Sequence, residues 1–329
     1  MSARSPSFHD VNHPVAGTER LTPLVTELDY LVIGHVTRDL VNSAFTIGGT
    51  VSYAARTACA LGCRVGVVTS ASPDLDLSHV LDRVLVARVP AATTTTFKNT
   101  YTSHGRHQVL HGTADLLVPE MVPPHWKARI VHLGPVAREC APALAGAFGD
   151  SFLGITPQGW MRRWDQDGNV SCCQWEDVEP FLARADGVVL SVEDVAGDVT
   201  LVARYADQAR VLVMTQGAAG CTVYAQGQVR HFPAPAVHQV DPTGAGDVFA
   251  AAFFVWLQRS GDPWTAARLA NCVAARSVTR VGWAGTPSPE EVTQCERAVY
   301  ASFGDEDVLP SPCSENTPNK FGTPESSTC

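Results

Sequence analysis

Short continuous apolar runs alternate along this chain with stretches whose apolar positions recur at helical spacing. Tyr30–Gly34 (YLVIG) is an apolar run ending in glycine, and Thr50–Leu61 after it has small and apolar residues at helical spacing. Arg64–Thr69 (RVGVVT), Ala128–Leu133, Phe152–Thr156, Gly187–Leu190 (GVVL) and Arg210–Thr215 (RVLVMT) are further strand-length runs. Ala137–Phe148, Val195–Ala206 and the alanine-rich Val248–Leu257 read as helices. Continuous apolar strands suit burial on both faces, and strand–helix alternation implies right-handed crossovers. The pattern predicts an α/β fold: a three-layer α/β/α sandwich around a mainly parallel sheet.

One stretch breaks the rhythm. Thr93–Tyr101 (TTTTFKNTY) and Arg106–His111 (RHQVLH) are β-rich, joined by Thr102–Gly105, with no helix directly after either. That reads as a hairpin, either at an edge of the main sheet or, with Ala44–Ile47, in a small β-sheet projecting from it. Residues 1–27 are polar and turn-rich, the pattern of a loose arm, and residues 304–329 are rich in Pro, Ser, Thr and acid, the pattern of a disordered tail. The folded domain is expected over 28–303, with small-sheet strands from about 38–50 and 91–113.

Composition narrows the function. Apolar residues make up 45% and charged residues 17%, with a net charge of -9. An acidic chain with three lysines (Lys98, Lys127, Lys320) offers no basic face for a nucleic acid. An anion bound here must rely on arginine, backbone amides or a metal. The longest apolar run, Val248–Leu257, is too short to span a membrane, and the first residues lack the apolar core of a secretory signal. The ten cysteines are scattered through predicted elements with no C-x-x-C, which reads as buried thiols of a cytoplasmic protein.

The strongest chemical signal is Val240-Asp241-Pro242-Thr243-Gly244-Ala245-Gly246-Asp247, immediately before the helix from Val248. Glycines at a helix start expose successive N–H groups, and these with the helix dipole make an anion site. Asp247 beside them could take the proton of an attacking hydroxyl, the pairing that phosphoryl transfer requires. An ordinary acidic helix start has the same look. No G-x-x-x-x-G-K-[ST] occurs, which excludes a P-loop enzyme.

With these residues in view the chain resembles the ribokinase-like (PfkB) carbohydrate kinase family over residues 28–300. The resemblance implies the three-layer fold, a small β-sheet lid over the substrate, and an ATP- and Mg²⁺-dependent kinase, with K⁺ as a further cation. It makes Asp247 the catalytic base and Gly244, Ala245 and Gly246 the anion hole, puts Thr243 against the nucleotide, and places Asp241 near a monovalent-cation site or the lid loop. Gly34–Asp39 resembles the family segment after the first strand, which makes Thr37 and Asp39 substrate residues. Gly48-Gly49 matches the family's double glycine at the substrate; the family often has Asn where Tyr53 stands. Thr215-Gln216-Gly217-Ala218-Ala219-Gly220 resembles the T-x-G-x-x-G turn near ATP, so Thr215, Gly217 and Gly220 fall on the nucleotide side, as does Asn271 beside the adenine. The family's N-x-x-E motif, linked to Mg²⁺ and phosphate, is here Ser191-Val192-Glu193-Asp194, with Asp194 in the metal position.

Among the family's branches the resemblance is nearest to myo-inositol kinases, through Gly220–Tyr224 and Gln158-Gly159-Trp160-Met161-Arg162-Arg163. That segment follows a strand at the edge where open α/β sheets bind ligands, so Gln158 and Arg162 are candidates for substrate hydroxyls, unless the loop is simply solvated. Thr95 and Thr96 could face the pocket from the lid. The expected partner is a small-molecule sugar or cyclitol, and lids of the family sometimes pair, which would give a homodimer. A nucleoside or other sugar kinase, or a ligand sensor without turnover, are the alternatives.

Overall fold

The computed structural model describes residues 25–41, 44–102 and 105–302. Nearly all of the expected N-terminal arm and the whole acidic tail lie outside the described residues.

The chain runs through β1 (Thr26–Ile33), β2 (Thr37–Val41), β3 (Ala44–Gly48), α1 (Thr50–Ala60), β4 (Val65–Ala71) and β5 (Leu85–Pro90). Next come β6 (Thr96–Thr102), β7 (Gly105–Gly112), β8 (Trp126–Leu133), β9 (Phe152–Ile155) and a short ribbon, β10 (Arg162–Trp164) with β11 (Val170–Cys172). Then follow α2 (Glu179–Arg184), β12 (Gly187–Ser191), α3 (Val199–Ala206), β13 (Val211–Thr215), β14 (Cys221–Ala225) and β15 (Gln228–Phe232). Three helices close the fold: α4 (Ala245–Ser260), α5 (Pro263–Ser277) and α6 (Pro289–Ala301).

The main sheet has nine strands in the order β15-β14-β13-β12-β9-β8-β1-β4-β5. Pairing is parallel from β13 to β5 and antiparallel only where β13, β14 and β15 meet. Both faces are covered. One core cluster joins the sheet to α1, α4, α5 and α6, and the other joins it to α2, α3 and the 3₁₀ turn Pro142–Gly146. Every residue of α4 from Val248 to Leu257 is buried, which is why that stretch is apolar on all sides. The sandwich is the one the alternation predicts. Among the described residues no helix is long and apolar enough to cross a membrane.

The irregular stretch resolves in favour of a separate sheet, of order β3-β2-β6-β7. It is held by parallel β2–β6 pairing between antiparallel partners. Its underside meets the main domain through Phe97, Leu110, Val136 and Ala137.

Three expectations need correction. The helix expected over Ala137–Phe148 is only a 3₁₀ turn, because Arg138 has φ +63° and the Glu139 carboxylate takes the Val136 and Ala137 N–H groups. The helix expected from Val195 starts at Val199: Ala196 and Gly197 have positive φ, and Asp198 caps the N–H groups of Thr200 and Leu201. The cysteines are not all thiols, since Cys272 of α5 and Cys295 of α6 form a disulfide with Cα atoms 5.7 Å apart. They are also not all buried, as Cys172 is exposed.

Candidate active site

The candidate residues come from strand tips and helix starts along one edge of the main sheet, facing the small sheet. Gly244 caps α4 in the left-handed region at φ +78°. A Cβ there would collide with the Tyr53 ring, so only glycine fits between the ring and the helix start. The N–H of Ala245, an expected anion donor, is turned back to the Pro242 carbonyl at 3.2 Å, whereas those of Gly246 and Asp247 have no intrahelical acceptor, and the Cβ position at Gly246 opens on free space. Open amides at a helix start can hold an anion, and Asp247 lies in the same turn.

Asp247 is half-buried, and its carboxyl is pushed up to about 6. Burial is the main cause, and the negative charges of Asp194 and Asp39 add to it. A hydrogen bond with the Thr50 side chain and the Arg162 charge pull the other way. A carboxylate poised near neutrality beside a nest of amides can accept a proton from a hydroxyl while the amides hold an anion.

Asp39 and Thr37 face this carboxylate from β2, with the Thr37 hydroxyl donating to Asp39 Oδ1 at 3.0 Å. Gly48, opposite on β3, leaves its Cβ space to these two: Thr37 Oγ1 would stand 2.8 Å away and the Asp39 carboxyl closer still. Gly49 caps α1 at φ +89° with its Cα against the His35 carbonyl. So the double glycine seats the start of α1 directly against the substrate candidates.

Arg162, buried at the start of β10, acts on both Asp247 and Asp194. Its Nη1 donates to the Val136 carbonyl at 3.2 Å, and its guanidinium lies 5.8 Å from the Phe97 ring centroid of the small sheet. It therefore joins the base, the loop after β8 and the small sheet. Gln158 is turned the other way, its amide donating to Asp194 Oδ1 at 3.4 Å. Burial pushes the Asp194 carboxyl up, opposed by the Ser191 N–H, Arg162 and Gln158.

Asp241 has a different task. Its Oδ1 accepts the Thr243 N–H at 2.9 Å and its Oδ2 accepts the Gly282 N–H at 2.8 Å, clamping the entry loop to the turn Gly282–Gly285. Burial raises its carboxyl, yet these hydrogen bonds win and hold it below the ordinary range. Among the described residues no group of three His, Cys, Asp or Glu could hold a metal ion.

On the nucleotide side, Gly217 (φ +56°) and Gly220 (φ +94°) turn the chain after β13, while the Thr215 hydroxyl bonds back to the Leu190 carbonyl at 3.3 Å. Thr243 is exposed at the loop. Asn271 is not a surface residue: it is buried, its amide donating to the Phe232 carbonyl at 2.9 Å. The small-sheet threonines are also spent internally, Thr95 on His35 Nδ1 at 2.7 Å and Thr96 on the Thr94 carbonyl at 2.8 Å.

Several supporting residues gave no signal in the sequence. Thr50 bonds to Asp247. Glu139 is buried and accepts the N–H groups of His35, Val136 and Ala137, joining the loops after β1 and β8. A surface hollow of about 560 Å³ lined by Pro73, Asp74, Leu77 and Arg88, among others, contains none of the candidates.

Comparison with known proteins bears on the family and the fold. Residues 187–291 match the pattern of the pfkB family of carbohydrate kinases. A fructokinase of Klebsiella pneumoniae is 33% identical over 193 residues, 52% of this chain and 61% of the relative. A fructokinase of Salmonella thompson is 30% identical over 169 residues, 46% of this chain and 74% of the relative. Matches of this kind span less than two-thirds of the first relative. A pyrophosphate-dependent kinase in the ribokinase family, solved with a pyrophosphate analog and myo-inositol, superposes with a TM-score of 0.68 at 23% identity, over 80% of this chain and 99% of that one. At that identity the likeness is one of fold.

Proposed function

Because the chain belongs to the pfkB family of carbohydrate kinases, we propose that it transfers the γ-phosphoryl group of ATP to a hydroxyl of a sugar or cyclitol of the myo-inositol kind. The observation that carries this reading is Asp247, a half-buried carboxylate pushed up to about 6, in the first turn of a helix whose glycine cap leaves amides open beside it.

Each residue has a part. Asp39, oriented by Thr37, takes hydrogen bonds from substrate hydroxyls and brings one of them to Asp247. Asp247 accepts that hydroxyl's proton as the oxygen attacks phosphorus, and the Gly244 and Gly246 amides hold the phosphoryl oxygens, with Ala245, whose N–H bonds to Pro242, shaping the turn between them. Arg162 offsets the negative charge gathered by Asp39, Asp194 and Asp247. The small sheet excludes competing water.

Mg²⁺ bound with the donor supplies charge neutralisation on the moving phosphoryl group. Asp194 fits such a role: its half-buried carboxylate lies near Asp247, and Mg²⁺ binds through one or two carboxylates and retained waters. Asp241 does not fit, because both its oxygens already hold amides. Thr215, Gly217, Gly220 and Thr243 line the proposed donor side. Asn271 would support that side from within, through Phe232.

The test crosses ATP and pyrophosphate as donors with a panel of cyclitols, hexoses, pentoses and nucleosides, following phosphorylated product. The fructokinase relatives make a ketohexose the second acceptor to expect. Binding of donor and polyol with no product from any pair would replace the kinase reading with that of a sensor.

A further inference from the structure

One buried polar group takes no part in the site described above. His132, on β8, has its Nδ1 2.7 Å from the Tyr30 hydroxyl of β1 and its Nε2 2.9 Å from Thr156 Oγ1 at the end of β9. Tyr30 and His132 are fully enclosed, and Thr156 keeps 8% of its surface. The Phe254 ring of α4 meets the imidazole edge-on at 5.0 Å. Burial pushes the imidazole down to about 3, so it is neutral, with one N–H and one lone pair.

That leaves two polarities. With the hydrogen on Nδ1, His132 would donate to the Tyr30 oxygen, and the enclosed Tyr30 O–H would lose its recorded acceptor. A buried donor without a partner is costly. The opposite polarity satisfies both fully enclosed side chains: Tyr30 donates to Nδ1, and Nε2–H donates to Thr156 Oγ1. The hydroxyl hydrogen of Thr156 is then directed onward, and His132 is the recorded hydrogen-bond partner of Oγ1 among the described residues.

Thr156 stands where that hydrogen has a use. Its N–H bonds to the Leu133 carbonyl at 3.0 Å, which places it at the strand tips. Gly134 lies between it and Thr50: a Cβ on Gly134 would stand 2.5 Å from Thr50 Cγ2 and 3.4 Å from Thr156 Oγ1. Thr50 is the residue that bonds to Asp247, and the turn after Thr156 carries Gln158 to Asp194.

We propose that Thr156 binds the acceptor, its hydroxyl aimed outward by the Tyr30–His132 relay to donate a hydrogen bond to an oxygen of the polyol. The identity of the ligand rests on the kinase reading; the polarity of the relay does not. No proton is transferred along it, and all three groups keep their hydrogens. Vicinal hydroxyls match this arrangement, since one can donate to Asp39 or Asp247 while its neighbour accepts from Thr156.

Two measurements test it. Histidine-selective ¹⁵N NMR of the full chain reads the His132 tautomer without reference to activity. Nε2–H is expected in the wild type, and a wild-type Nδ1–H tautomer overturns the polarity. In steady-state kinetics, Thr156→Val is expected to raise the polyol KM roughly 5- to 10-fold, the scale of one neutral hydrogen bond, with donor KM unchanged. Thr156→Ser should restore it, and Tyr30→Phe should give a smaller rise. An unchanged polyol KM, or an effect on donor KM alone, overturns the assignment. If the wild type phosphorylates no polyol, the kinase reading fails separately, and calorimetry with myo-inositol on the same Val and Ser pair decides: equal binding overturns the Thr156 role, and loss in Val with recovery in Ser upholds it.

Discussion

One aspartate sits in the loop before α4 and another in the helix's first turn, and their surroundings push them in opposite directions. Asp241 points to backbone amides of Thr243 and Gly282, which hold it ionised. Asp247 points into a buried space shared with Asp194 and Asp39, where ionisation is opposed. One carboxylate stabilises the fold by being charged. The other is kept where being charged costs stability, a condition suited to a group that must gain and lose a proton.

Asp247→Asn breaks this contrast most severely: turnover should fall at least ~100-fold, the scale of losing a general base. The same variant should be more stable than the wild type above pH 6. A carboxyl raised from 3.8 to about 6 binds more protons folded than unfolded, so folding loses stability as pH rises through that window. A melting-temperature gain at pH 8 that vanishes below pH 4 would show the sign. Gly244→Ala comes next. It sets a Cβ against the Tyr53 ring in a left-handed backbone, so turnover should drop roughly 10-fold and stability by about 1–3 kcal/mol, read by kinetics and denaturant titration. In the wild type, kcat/KM should fall on the acid side through about pH 6, as free Asp247 takes up its proton. The smallest effect belongs to Asp241→Ala, which releases the loop from Gly282. Its depressed carboxyl contributes stability above the ordinary carboxylate range and loses it as pH falls through the folded value. The variant should therefore melt a few degrees lower at pH 7 and match the wild type in strong acid.

Contiguity explains what could be read in advance. The glycine-rich helix start and Asp247 lie within one unbroken stretch, so their juxtaposition is legible without a fold. The parallel sheet is legible for a similar reason: β4 is buried at every position and leaves an uninterrupted apolar run. Thr50, Glu139 and the Tyr30–His132–Thr156 chain act across long separations, where a threonine or a glutamate looks like any other. Glu139 also defeated the helix reading of Ala137–Phe148, because its carboxylate offers backbone amides a better partner than a helix would. The Cys272–Cys295 link has no spacing signature and exists only because α5 lies beside α6.

Glu139 has one more consequence. By gripping amides from two separate loops at once, it makes the floor beneath the proposed acceptor a single rigid block. Neither loop can adapt to a bulkier guest without disturbing the other. Broadening what this protein accepts is therefore a task for the small sheet above, where Phe97 rests on Arg162, and remodelling the floor should unfold more variants than it redirects.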